Sequence, residues 1–188
     1  MKKLERQRWI EGGIFLILFC LTIPLANWMI GHVGTVCSKD GPCLIPVAPR
    51  LMAPSGVLMI GIALVLRDLV QRRLGVWVSV AAILVGTAIS AMIAPISLVV
   101  ASASAFLLSE LADLAVYTPL ARKRMVTAVI LSSLAGLVVD SIVFLWLAFG
   151  SLDYLPGQVV GKAWMVLLSI PFVALLRRRD EKIGLKPV

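Results

Sequence analysis

The sequence predicts an all-α, polytopic membrane protein with six transmembrane helices. Three observations carry that reading. Hydrophobic residues make up 60% of the 188-residue chain. The apolar residues fall into six stretches close to the length of about 20 residues that a helix needs to cross the bilayer core. The basic residues collect in alternate connections between those stretches.

The spans are read at residues 9–31, 53–69, 76–94, 96–117, 126–149 and 157–176. The first begins after Lys2, Lys3, Arg6 and Arg8. Basic residues followed by an apolar run superficially resemble a signal peptide. Here the run continues past Pro24 to Ile30, which fits an uncleaved first helix better. The connection from His32 to Met52 is the one long one. It carries Cys37 and Cys43 around Lys39, Asp40, Gly41 and Pro42, all turn formers. Two readings stand for these cysteines, a disulfide and two free thiols; a lone pair supplies too few ligands for a metal. Cys20, in the first span, reads as packing.

The second span runs into Arg67-Asp68-Leu-Val-Gln-Arg-Arg-Leu-Gly75. Asp68 and Arg72 are four apart and are expected to pair along one helical face, with Gly75 as the stop. This segment is read as a cytoplasmic helix junction or gate. Arg122, Lys123 and Arg124 separate spans four and five, and Arg177, Arg178, Arg179, Lys182 and Lys186 follow span six. The opposite connections carry only Lys39 and Arg50. The asymmetry predicts cytoplasmic termini, and residues 1–188 read as one transport domain. It also assigns the net charge of +8 to topology and lipid contact rather than to nucleic acid.

Ionisable residues inside spans mark the candidate site, because a charge in hydrocarbon is expensive and usually faces the bundle interior. Glu110 and Asp113 share a face of span four, extended by Phe106 and Tyr117. They are read either as substrate-recognition or proton-coupling groups, or as acids meeting the Arg122–Arg124 loop. Asp140 lies deeper, in span five, with Phe144 one turn on. Lys162 follows Gln158 by one turn in span six. Antiparallel packing of spans five and six places Asp140 and Lys162 in the same half of the membrane, as a structural ion pair or as the lining of a wet cavity. Asn27 and Trp28 complete the set, Trp28 either as a stacking face or as a membrane-interface residue. His32 reads as an interface residue. No metal-ligand spacing and no nucleophile with a histidine base is present in the sequence, so neither an enzyme nor a cofactor is expected.

Taken in order, several segments resemble those of the queuosine precursor transporter family, also called the vitamin uptake transporter family. They are Asn27-Trp28, Arg67 to Gly75, Ala101-Ser-Ala-Ser-Ala-Phe-Leu-Leu-Ser-Glu-Leu-Ala-Asp113 with Tyr117, Val139 to Gly150, and Gly157-Gln-Val-Val-Gly-Lys162. The resemblance implies a six-helix fold like the substrate-binding subunits of energy-coupling-factor transporters. It also implies uptake of a 7-deazaguanine precursor of queuosine. The groups it brings to a purine-like substrate are Asn27, Trp28, Phe106, Glu110, Asp113, Asp140, Phe144, Gln158 and Lys162. A homodimer or an energising partner is compatible with it. Transport of another vitamin or nucleobase-like solute, and a non-transport accessory subunit, are the alternative readings.

Overall fold

The computed structural model describes residues 2–37, 42–94 and 96–188. Among them are six α-helices: α1 (Lys2–His32), α2 (Val57–Leu74), α3 (Val76–Ile93), α4 (Val99–Leu120), α5 (Met125–Phe149) and α6 (Leu155–Ile183). A 3₁₀ turn at Ile96–Leu98 leads into α4. The all-α membrane architecture read from the sequence is therefore the observed one. Five of the helices are long and apolar enough to cross a membrane. The exception is α2, 18 residues long, which carries Arg67, Asp68, Arg72 and Arg73. All four of these side chains are buried.

The bundle is inside-out relative to a water-soluble protein. Ile17, Trp146, Leu168 and Leu175 are each exposed by 60% or more on its outer face, while Arg67, Asp68, Asp113 and Ser132 are at 0%. An apolar exterior suits lipid, and the buried polar groups must then satisfy one another. Helix α1 packs most extensively against α2, α4 against α3 and α5, and α6 against α2 and α5. Small residues set the closest approaches. A Cβ added at Gly61 would lie 2.7 Å from the Lys162 carbonyl oxygen, so α2 and α6 are in near backbone contact there. Gly75, at φ 88°, adopts the left-handed conformation that lets α3 start directly after α2.

The long connection departs from the sequence reading. It holds a three-stranded antiparallel sheet, β1 (Val36–Cys37), β2 (Cys43–Ala48) and β3 (Leu51–Pro54), in that order. The second span, expected from residue 53, starts as a helix only at Val57, because Ala53 and Pro54 pair with Ile45 and Leu44 of β2. Cys37 and Cys43 face each other across β1 and β2 and form a disulfide. The turn expected at Lys39, Asp40 and Gly41 lies outside the described residues. The Trp164 indole donates to the Val47 carbonyl at 3.0 Å, and Ser55 Oγ donates to the Met29 carbonyl at 2.7 Å. These bonds fasten the sheet to α6 and α2 to α1. The bundle thus has a sheet end and a basic end, the latter carrying Arg72, Arg73, Arg122–Arg124 and Arg177–Arg179.

Candidate functional site

Near the sheet end all six helices converge on one pocket. Its walls include Ile23, Ala26 and Asn27 of α1, Val57 and Ile60 of α2, Ser90 of α3, Ser102 and Phe106 of α4, Asp140 and Phe144 of α5, and Gln158 and Lys162 of α6, with Pro54 of β3 at its edge. Most of the lining is apolar, the charged groups come from α5 and α6, and the amides come from α1 and α6. That is the usual composition of a small-ligand site.

Lys162 organises the polar wall. Its ammonium group lies 2.5 Å from Asp140 Oδ2, 2.5 Å from Gln158 Oε1 and 2.7 Å from Ser141 Oγ. A lysine has three donors and no acceptor, so these contacts use it fully. The same rule fixes the Gln158 amide: its oxygen faces Lys162 and its nitrogen is left to donate elsewhere. Asp140 engages Lys162 through one oxygen and keeps Oδ1 for another partner. The Asn27 side-chain nitrogen donates to the Ile23 carbonyl at 3.0 Å, leaving the amide oxygen as an acceptor. The pocket therefore offers a carboxylate oxygen, an amide oxygen and an amide N–H between the rings of Phe106 and Phe144.

A second buried cluster lies toward the basic end. Arg67 sits at its centre, with Asp68 Oδ1 at 2.6 Å from Nη2, Asp113 Oδ1 on the same nitrogen, and Glu110 Oε2 at 3.4 Å from Nε. Arg67 Nη1 donates to Gln71 Oε1 at 2.9 Å, and Gln71 reaches Thr118 at 3.0 Å. Ser132 Oγ donates to Asp68 Oδ2 at 2.8 Å. The Tyr117 ring lies 5.5 Å from the guanidinium carbon. Gly136 makes the α4–α5 approach close enough for this arrangement: a Cβ there would sit 3.1 Å from the Asp113 Cβ.

A third cluster closes the basic end. Asp180 of α6 accepts from Arg72 Nε at 3.1 Å and from Arg73 Nη1 and Nη2 at 2.9 and 2.8 Å. Glu11 of α1 accepts from Arg73 at 2.9 Å and from Arg179 at 2.6 Å.

The structure brings together six of the nine site residues read from the sequence: Asn27, Phe106, Asp140, Phe144, Gln158 and Lys162. Trp28 is elsewhere. It is half-exposed and stacks on His32 at 5.3 Å, because its position beside Asn27 turns it out of the bundle toward the lipid-facing side. Glu110 and Asp113 are outside the pocket lining too. They face Arg67 rather than the Arg122–Arg124 loop, since α2 and not the loop packs beside them. The expected Asp68–Arg72 pair is replaced: Asp68 turns to Arg67 and Arg72 to Asp180. Sequence reasoning assigned Arg67 to a cytoplasmic junction and so missed the centre of the second cluster. The signal was present, since Arg67 and Asp68 both lie inside the span read at 53–69.

Buried ion pairs inside an apolar-faced bundle, next to a pocket walled by every helix, are the arrangement expected where polar groups line a solute path through a membrane. The comparison with known families agrees. Residues 94–176, from the entrance of α4 to near the end of the apolar part of α6, match the family described as "Putative vitamin uptake transporter". That match bears out the resemblance read from the sequence. No curated protein and no solved structure matches the chain.

Proposed function

We propose that this protein takes up a queuosine precursor of the 7-deazaguanine type, preQ0 or preQ1, across the bacterial inner membrane. In this reading the termini and the basic end face the cytoplasm and the sheet end faces outward. The observation that carries it is the set of groups left open by Lys162. A guanine-type edge offers N–H donors at N1 and the exocyclic amine, and an acceptor at O6. Asp140 Oδ1 and the Asn27 oxygen meet the donors, and the Gln158 amide nitrogen meets O6. Phe106 and Phe144 supply flat faces. The aminomethyl cation of preQ1 adds a charge that a carboxylate accepts favourably. A site that hydrogen-bonds such an edge rejects analogues lacking it. The substrate is thus a small purine-like solute, and bilayer lipid is the surrounding partner; a homodimer or an energising subunit fits the same reading.

Binding of radiolabelled preQ0 and preQ1 to the purified protein tests this. Asp140→Asn replaces an acceptor with a donor that opposes the ligand's own N–H groups. The expected loss is about 1.5–3 kcal/mol, a tenfold or greater fall in affinity. Equal affinity for guanine-type and unrelated vitamins, or no effect of Asp140→Asn, overturns the substrate assignment.

A further inference from the structure

The Arg67 cluster holds more acid than base. Asp68, Glu110 and Asp113 face one guanidinium, and all four side chains are at most 2% exposed. Arg67 Nη2 touches both aspartates, so their carboxyl groups are crowded around one nitrogen. Two buried oxygens of the cluster are left without a hydrogen-bond partner among the described residues, Asp113 Oδ2 and the Tyr117 hydroxyl, while Asp68 Oδ1 and Glu110 Oε2 have only their ion-pair contacts with Arg67. The Tyr117 ring packs against the Arg67 guanidinium from within the same cluster.

Fully ionised, the three acids would leave two uncompensated negative charges in a dry site. Burial at that cost favours uptake of a proton, and like charges crowded around one guanidinium nitrogen favour it further. A metal ion is the competing neutraliser. Among the described residues no group of carboxylates, histidines or cysteines has metal-holding geometry.

The surroundings of Glu110 supply no further cation. From α2 it meets Arg67, which also holds Asp68, and its own helix adds Asp113 and Tyr117 around the same guanidinium. On α5 the charged residue is Asp140, which lines the pocket together with Phe106 and is itself paired with Lys162 of α6. Helix α3 carries no charged residue. The one charged residue of α1 within residues 9–31, Glu11, is held by Arg73 and Arg179 at the basic end. Glu110 is also one helical turn from Phe106 of the pocket.

We propose that Asp68, Glu110 and Asp113 around Arg67 form a proton-binding site, with Glu110 the carboxyl that links proton occupancy to substrate occupancy at Asp140. A proton gained by Glu110 removes a negative charge one helical turn along α4 from Phe106, in the pocket that Asp140 lines. A ligand that donates to Asp140 changes the cost of that same charge. Each occupancy therefore shifts the other by the same factor. The site is a reversible proton acceptor and no bond other than O–H is made or broken. The coupling half of the proposal rests on the uptake reading above.

Infrared spectroscopy of the purified protein tests the proton site without any substrate. A protonated carboxyl carbonyl absorbs apart from an ionised carboxylate. The expected result is a protonated-carboxyl band at neutral pH that fades on alkalinisation. It is expected to be reduced in Glu110→Gln or Asp113→Asn, whichever folds, and retained in Asp140→Asn. No such band in the unaltered protein, or a band indifferent to both cluster substitutions, overturns the proposal. Proteoliposomes loaded against a proton gradient test the coupling with radiolabelled preQ1. The unaltered protein is expected to accumulate the probe at least several-fold, and Glu110→Gln to equilibrate it without accumulation. Accumulation indifferent to the gradient overturns the coupling. An intact band with no uptake of either precursor supports the proton site and removes only the substrate assignment.

Discussion

Lys162 Nζ lies 2.5 Å from Asp140 Oδ2, and the two side chains are 1% and 8% exposed. They come from helices that run antiparallel, on opposite walls of one corner of the pocket. Removing a partner from such a pair leaves an uncompensated buried charge. Lys162→Met is expected to destabilise the protein by about 3–5 kcal/mol, read as thermal unfolding in detergent. The double change Lys162→Met with Asp140→Asn is expected to recover much of that stability and none of the ligand binding. Equal stability of the single and double variants would show that water reaches Asp140 freely.

Arg67 contacts three carboxyl groups at once, two of them through Nη2. A guanidinium does this with a planar fork of five donors; an ammonium is a point charge on a flexible stem. Arg67→Lys is therefore expected to be far from conservative, with a lower unfolding temperature and poor yield in membranes. Arg67→Met is expected to be worse still, and to improve when Asp68→Asn and Asp113→Asn are added, because the mutual repulsion is then gone. Yield and unfolding temperature by fluorescence-detected size exclusion give the comparison.

Arg67 also shows what the sequence could and could not reveal. The six helices and the Asp140–Lys162 pairing were legible, because apolar length and antiparallel succession determine them; that α2 is not apolar enough to count with the five membrane-length helices was not. The partner of Glu110 and Asp113 was not. On α2 it sits only five and six positions before Arg72 and Arg73, so local composition groups it with a basic connection. Only the packing of α2 against α4 and α5 turns it inward. The β-sheet was hidden for a related reason. Pro46 lies in a connection read without secondary structure and Pro54 in the span read from residue 53, yet both sit within paired strands. Trp28 failed in the other direction: adjacency to Asn27 in the chain is a rotation of about 100° on a helix, enough to carry it out of the pocket.

Gly61 separates α2 from α6 by the width of a hydrogen atom. A methyl group there would lie 2.7 Å from the Lys162 carbonyl oxygen and 2.9 Å from Met165 Cβ. Gly61→Ala is expected to push α6 away and to cost about 1–3 kcal/mol, as overpacking does. Because Lys162 is itself the displaced residue, ligand affinity is expected to fall with stability. Gly13, whose added Cβ would meet nothing within 4 Å, is the control, and Gly13→Ala is expected to be neutral or mildly stabilising.

The disulfide between Cys37 and Cys43 closes a short loop at the sheet end. A cross-link of that span removes roughly 2 kcal/mol of unfolded-chain entropy. Without reductant, a maleimide reagent is expected to modify neither cysteine. After reduction both are expected to react, and the unfolding temperature to fall by a few degrees. Labelling from outside intact cells would also place the sheet end outward, and reaction only after the membrane is permeabilised would reverse the proposed orientation.

Two acids on the last turns of α6 give a contrast in magnitude. Asp180, at 1% exposure, accepts hydrogen bonds from Arg72 and Arg73 of α2, both buried. Glu181 pairs with Arg177 at 2.7 Å on the same helix, with 59% and 42% of those side chains exposed. An exposed pair four residues apart contributes about 0.3–0.5 kcal/mol, because water screens it and ordering two long side chains costs entropy. Glu181→Gln is thus expected to leave the unfolding temperature nearly unchanged. Asp180→Asn removes the carboxylate from Arg72 and leaves Arg73 with Glu11 alone, loosening α6 from α2, and is expected to cost several times more. The same loss is expected to appear locally, as faster hydrogen exchange over residues 172–183 with the pocket half of α6 still protected. Equal effects of the two substitutions would mean that the basic end is open to water and that the Arg72–Arg73–Asp180 clasp does not hold the helices together.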